Sequence, residues 1–183
     1  MGCKLTGNIT KENCVYSVAG VVALYLINYI RGIKYTEESG EITAIALDEG
    51  VEETLEAFKV DFEKDTASFS DELAAGGNGG KYRTHTVNFS IGHLEHAKMT
   101  DGDALSLGKF IAVVVDKNGH AYMLGRGNGL DATSFNYASG AADADAKGWA
   151  VVMAGSEKET MRPLKDEAVI TAILHKDGGA VIP

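Results

Sequence analysis

Basic residues are the first shortage. Across 183 residues, 17 lysines and arginines face 26 aspartates and glutamates, a formal net charge of −9. No run of basic residues occurs. A grip on a nucleic-acid backbone or an anionic membrane needs clustered Lys and Arg, so both are disfavoured as binding partners. Cysteine is also scarce: there are 2, Cys3 and Cys14, with no Cys-x-x-Cys pair. The histidines (His85, His93, His96, His120, His175) are scattered. Two reduced thiols and no structural zinc are therefore expected. Proline is nearly absent, 2 residues against 22 glycines, which argues against a Pro-rich disordered tail and suits tight turns between strands. Long hydrophobic runs are missing too. The most apolar stretch, SVAGVVALYLINYIRGI at 17–33, carries Asn28 and Arg31, and its apolar centre of about ten residues is too short to span a membrane. The opening MGCKLTGNITKENC has no apolar segment of the kind a signal peptide needs, so none is expected. Without secretion the sequons at Asn8 and Asn88 carry no weight, and Thr6 makes the match to a myristoylation pattern formal only.

Motifs for chemistry are as sparse. No serine lies in a Gly-x-Ser-x-Gly elbow. The paired carboxylates Glu37/Glu38, Glu52/Glu53 and Asp143/Asp145 fall in polar turns or exposed stretches, where such groups are solvated rather than tuned. His93 and His96 are three apart, not the four that a His-Glu-x-x-His zinc helix needs. Nothing near Cys14 lowers its pKa. Gly125-Arg-Gly127-Asn-Gly129 invites a phosphate-loop assignment, but LDATSFNYASG follows it and is not helical; a glycine-rich turn that lets two backbones approach is expected instead. Asp143-Ala-Asp145 resembles a calcium loop, yet Lys147 and Ala154 stand at ligand positions, so a turn is expected. No catalytic residue, metal site or cofactor is predicted.

What is present is β pattern. The chain is long enough for one domain and short for two. Residues 15–30 predict a strand buried on both faces, with Gly20 opening it. Glu37 to Gly40 is a turn, 41–47 (EITAIAL) a second strand, and 93–107 the best helix, interrupted at Asp101-Gly102-Asp103. Residues 110–116 (FIAVVVD) and 120–125 flank Lys117-Asn-Gly119, a strong hairpin signal. Residues 148–154 and 168–174 (AVITAIL) are further strands, Glu157 to Glu159 is a polar loop between them, and Met161 to Leu164 is extended. About nine strands and one or two helices are expected, a mainly β fold of two packed sheets, as a sandwich or barrel.

The unusual feature is 57–91. Phe58, Val60 and Phe62 alternate with polar residues, as do Val87, Phe89 and Ile91, and between them lie Gly76, Gly77, Asn78, Gly79 and Gly80. This predicts one long β-hairpin, reaching roughly 45 Å at about 3.3 Å per residue. Its distal part is polar, with Phe69, Leu73 and Tyr82 as isolated apolar residues. Such a ribbon is marginal alone in water, so the tip is expected either to move or to pack on something outside its own chain.

Three stretches together carry a family likeness: SVAGVVALYLINY, GGNGGKYRTHTVNFSI, and AVVVDKNGHAYMLGRGNGLDATSFNYASGAADADAKGWAVVMAG. Over about 14–165 the chain resembles phage tail tube proteins, particularly tube-like virion proteins of phages and prophages from gut Bacteroidales. The resemblance implies two packed β-sheets with one flanking α-helix and a long protruding hairpin. It implies an N-terminal arm at 1–14, a single domain at 15–175 whose hairpin arm is 57–91, and a C-terminal tail at 176–183. It further implies assembly with itself into hexameric rings that stack into a hollow tube, other tail proteins as partners, DNA as passing cargo, and a place in the virion tail after synthesis in the bacterial cytoplasm. Under it, Phe69, Leu73, Gly76, Gly77, Gly79, Gly80, Tyr82 and Arg83 form an intersubunit hairpin. Asp61, Glu63, Asp65, Asp71 and Glu72 then become lumen-facing acids that repel phosphate, with Lys59, Lys64, Lys81 and Arg83 pairing to a neighbour's acids.

Two other assignments stay open. One is another virion part of the same fold, such as a tail hub or terminator. The other is a monomeric β-sandwich binding module whose aromatics (Tyr82, Tyr122, Phe135, Tyr137, Trp149) would gather on one surface. The sequence carries no enzyme signal above background.

Overall fold

The computed structural model describes residues 4–5, 7–11, 14, 16–92 and 99–176. Among them are eleven strands and two short helices. The strands are β1 (Val21–Asn28), β2 (Ile33–Glu38), β3 (Glu41–Leu47), β4 (Ala57–Val60), β5 (Ser68–Ala75), β6 (Lys81–Ile91), β7 (Lys109–Asp116), β8 (Ala121–Leu124), β9 (Leu130–Ala138), β10 (Gly148–Glu157) and β11 (Arg162–Pro163). The helices are α1 (Asp101–Leu107) and α2 (Ala168–Thr171). The protein is mainly β, with a nine-stranded and a two-stranded antiparallel sheet. The large sheet runs β11-β8-β7-β9-β10-β6-β5, and the small one is the β2–β3 hairpin.

β1 and β7 form the centre. Their near-continuous Val, Leu and Ile content makes both faces apolar, and both faces are buried. Leu24, Leu26, Ala112 and Val114 enter one cluster, together with Val87 and Phe89 of β6 and Val151 and Met153 of β10. Tyr25, Ile27, Ile111 and Val113 enter a second, with Ile42 and Ile45 of β3 and Ile170 of α2. Each fully buried Leu or Ile stabilises the fold by about 1.5–3 kcal/mol. β7 pairs with β1 along one edge; along the other it pairs with β8 and then, at Lys109 and Phe110, with the start of β9. Tyr25 ends at the surface of this core, where its hydroxyl donates to Glu167 at 2.5 Å. Burial and that carboxylate push its pKa up to about 12.

Two bulges re-aim side chains. The β1–β7 register shifts between Val21 and Ala23, which leaves Val22 exposed. The β2–β3 register shifts opposite Thr43, so Ile42 and Ile45, three apart, both reach the core. Strict alternation along 41–47 could not place both inside. The strand β2 was not expected at all; its turn is Ser39-Gly40, both at positive φ (54° and 88°).

Several expectations are corrected. Residues 57–91 are not one hairpin. β4 pairs with β1, Phe58 opposite Leu26, and only β5 and β6 form the hairpin around the glycines. Alternation states which face is buried, not which strand is the partner. The hairpin also does not stand free, because β6 is paired with β10 from Arg83 to Ile91. Asp101-Gly102-Asp103 begins helix α1 instead of breaking one; the acids suit its first turn and Gly102 lies where a side chain would meet Phe135. Residues 93–98 of that expected helix lie outside the described residues, as do 1–3, 6, 12 and 13 of the expected N-terminal arm and 177–183 of the tail. The apolar 168–174 is not a strand. It opens as α2, which puts Ile170 into the second core, and only 173–175 extend along β4, through Ala57 N–H to the Ile173 carbonyl at 2.8 Å.

Candidate functional site

The interior-facing row of the β5–β6 hairpin changes character along its length. Phe69 faces Val87 in the core, then Asp71 faces His85, then Leu73 faces Arg83. Hydrocarbon gives way to charge within four residues. His85 is 2% exposed. Asp71 accepts from Arg83 Nε at 2.6 Å and from the Met161 amide at 3.0 Å, and its Oδ1 is 3.4 Å from His85 Nε2. Burial pushes the Asp71 carboxyl up, but Arg83, the Met161 amide and His85 outweigh it and hold the pKa below the ordinary carboxylate range.

The Gly125–Gly129 turn closes over this row. Gly125 and Gly129 have positive φ (75° and 74°), so the turn is tight. Its amides point inward: Gly125 N–H donates to His85 Nδ1 at 3.1 Å, while Gly127 and Asn128 N–H donate to Glu157 Oε1 at 3.0 and 2.8 Å. Glu157 is 2% exposed, in place of the expected polar loop. A side chain at Gly155 would meet the Gly129 carbonyl at 2.2 Å, so here two backbones do approach closely. Arg126 points the other way. It pairs with Glu37 of β2 and with Glu159 at 2.5 Å, and lies 5.0 Å over the Tyr35 ring. Burial alone would lower the Arg126 pKa; the two carboxylates raise it instead. Glu159 also pairs with Arg162 at 2.9 Å, and is held below the ordinary range although burial opposes this. Tyr29 and Tyr35 donate their hydroxyls to the carbonyls of Gly127 and Arg126. The turn thus ties β2 and β10 through charge-assisted bonds and β6 through the His85 ring.

The expected site residues are dispersed around this cluster. Phe69 is half-buried beside Tyr122, with ring centroids 5.7 Å apart, and Arg83 is committed to Asp71. Leu73 (61% exposed) and Tyr82 (42%) are open, on opposite faces of the hairpin, since Leu73 faces Arg83 and Tyr82 faces Ala74. Of Gly76, Gly77, Gly79 and Gly80, only Gly79 has positive φ, at 82°. The five acids do not share a face. Asp61, Glu63 and Asp65 lie in 61–67, after β4. Asp61 sits 3.9 Å from Lys59 and Asp65 2.5 Å from Lys117, so these lysines pair within the chain. These groups and Lys64 line a shallow hollow of about 330 Å³. Asp71 points inward, a correction to its lumen assignment: alternation puts it on the face opposite Glu72, where Arg83 and His85 flank it.

Sequence reasoning passed over His85, Glu157 and Arg126. The phase of the alternation carried the signal for two of them: His85 is in step with Val87 and Phe89, and Glu157 with Val151 and Met153. Of the aromatics, Phe135, Trp149 and Tyr137 do gather, with centroids 4.5 and 5.0 Å apart, while Tyr82 is at the hairpin tip.

The other face of β9, β10, β6 and β5 is plain by contrast. It presents Ser134 and Asn136, Val152 and Ala154, Tyr82, Thr84, Thr86, Asn88 and Ser90, and Ser68 and Ser70, with Asp131 and Glu72 as its charges; these four strands put no Lys or Arg on it, and at its margin Lys109 of β7 stands opposite Asp131, 3.4 Å from its carboxylate. Beyond it, β5 is the edge of the sheet and has no strand on its outer side among the described residues. Among the described residues no three His, Cys, Asp or Glu are grouped as metal ligands, and no helix is long and apolar enough to cross a membrane. No family model, no curated protein and no solved structure matches the chain.

Proposed function

We propose that this chain is a structural subunit that assembles with itself into hexameric rings, stacked as the tube of a phage tail. The observation that carries the proposal is the open edge of β5. Eight residues without proline end a nine-stranded sheet, and no strand among the described residues takes up the backbone donors and acceptors on their outer side. A ring of subunits satisfies such an edge by pairing it with the next copy. The two arms of the large sheet, joined at β7 and β9 over the first apolar cluster, are taken as the two layers of a tail-tube-like sandwich. The wall of the tube is then the hydroxyl- and amide-lined face of β9, β10, β6 and β5. Its four strands contribute no Lys or Arg, and Lys109 at its margin is paired with Asp131, so it gives DNA phosphates little to hold and DNA passes as cargo. This assigns the wall to neutral side chains rather than to the hairpin acids.

Light scattering after gel filtration, with negative-stain microscopy of the same fractions, tests the proposal. Rings or tubes with a central hole are expected. Leu73→Lys places a charge beside the open edge and is expected to return the protein to monomers; because Leu73 faces Arg83, a loss of stability of up to about 1 kcal/mol is expected with it. A monomer at every concentration, with no ring by microscopy, overturns the proposal. It would favour a binding module working through the Phe135, Trp149 and Tyr137 row, of which Tyr137 is half exposed.

A further inference from the structure

His85 is held in a way that defines its proton. Gly125 N–H donates to Nδ1, so Nδ1 carries no hydrogen and the neutral ring has its hydrogen on Nε2. That Nε2 is buried, lies 3.4 Å from Asp71 Oδ1, and makes no hydrogen bond of good geometry. In the imidazolium both nitrogens are donors. Nδ1–H would then confront the Gly125 N–H donor, and rotation of the ring cannot restore an acceptor.

We propose that His85 is an acid-sensitive latch on the Gly125–Gly129 turn: neutral, it holds the turn closed through the Gly125 amide, and protonated, it releases it. The charged groups around the ring set the direction of the change. Asp71 on β5 draws the new cation toward Nε2 and away from the turn. Arg83, on His85's own strand, already occupies the same carboxylate and repels it. Glu157, from β10, stays under the Gly127 and Asn128 amides, so among the described residues the far half of the turn keeps those two bonds and that of Asn128 Nδ2 to the Ser156 carbonyl, and the Gly125 end is the part set free. The turn carries Arg126, which holds β2 through Glu37, and receives the Tyr29 and Tyr35 hydroxyls. Release of the Gly125 end therefore weakens one tie between the β2–β3 sheet and the large one, while Ile42 and Ile45 keep their places in the second core. The latch belongs to the single chain and stands whichever way the assembly experiment falls.

The test uses the full chain. Side-chain nitrogen shifts of His85 by NMR give the tautomer, and hydrogen exchange followed by mass spectrometry reads the peptide spanning the turn from about pH 8 to about pH 5. After correction for the intrinsic pH dependence of exchange, protection of the turn is expected to fall on the order of tenfold, equivalent to the loss of one buried hydrogen bond. His85→Gln, whose amide does not titrate, is expected to show no such step. A hydrogen on Nδ1 at pH 8, protection unchanged by acid, or a step retained in His85→Gln each overturns the latch. Should His85→Gln not fold, the tautomer and the wild-type pH profile decide by themselves, because an imidazole with a merely structural role gives no step.

Discussion

β1 and β7 on one side, and the β5–β6 hairpin on the other, are both inside the same sheet, yet they are held by different physics. Between β1 and β7 the pairs are Leu26 with Ala112 and Leu24 with Val114, all buried, and the stabilisation is non-directional. Along β5 and β6 the interior turns polar after one pair, and every buried group there depends on a particular partner: Asp71 on Arg83 and Met161, His85 on Gly125. The first arrangement loses stability in proportion to the atoms removed. The second loses most when one partner goes and the other is left behind.

Cutting into the first region gives the largest effect. Leu24→Ala and Ile111→Ala, at fully buried positions, are each expected to cost roughly 2–5 kcal/mol in denaturant unfolding. A cost below about 1 kcal/mol would mean that the double-faced layer is not the centre of the fold. In the polar region Asp71→Ala is expected to cost about 3 kcal/mol, by leaving Arg83 and the Met161 amide unpaired. Asp71→Leu combined with Arg83→Met is expected to cost less than Asp71→Ala. Equal or additive losses would show that the pair is worth no more than its packing.

Acid separates the regions without mutation. Asp71 and Glu159 have pKa values lowered on folding. Their contribution is therefore full above the ordinary carboxylate pKa of about 4 and is lost as pH falls through the folded values. Global unfolding free energy should decline below about pH 4, with a shallower slope in Asp71→Asn, while the two core variants keep the wild-type slope. Parallel slopes for wild type and Asp71→Asn would remove Asp71 from the acid response. The smallest effect lies at the tip. Gly79→Ala, at φ 82°, is expected to cost about 1 kcal/mol, and Gly77→Ala, which has open space and no positive φ, close to nothing. Calorimetric melting of the two variants sharpens which glycine the turn requires.

Local pattern was enough for the β class, the doubly buried β1, the strand at β7, β3 with its residue bounds, the turn at Lys117-Asn-Gly119 and the glycine tip of the hairpin. In these, a local pattern is its own cause: β-branched and apolar runs bury, and Gly takes φ > 0. Partners were another matter. Phe58 and Val60 alternate in the same way whether they pair with β1 or with β6, and only the competition of edges in three dimensions chose β1. The helix at Ala168–Thr171 was decided by the fit of Ile170 into the second core, since four residues have no helical preference strong enough to act alone. The pairing within the charged cluster was hidden for the same reason, although the phase of the alternation already turned His85 and Glu157 inward. His85, Asp71, Glu157 and the amides of Gly125, Gly127 and Asn128 come from four segments, and a buried charge is tolerated only where the folded chain brings it partners that the sequence keeps far apart.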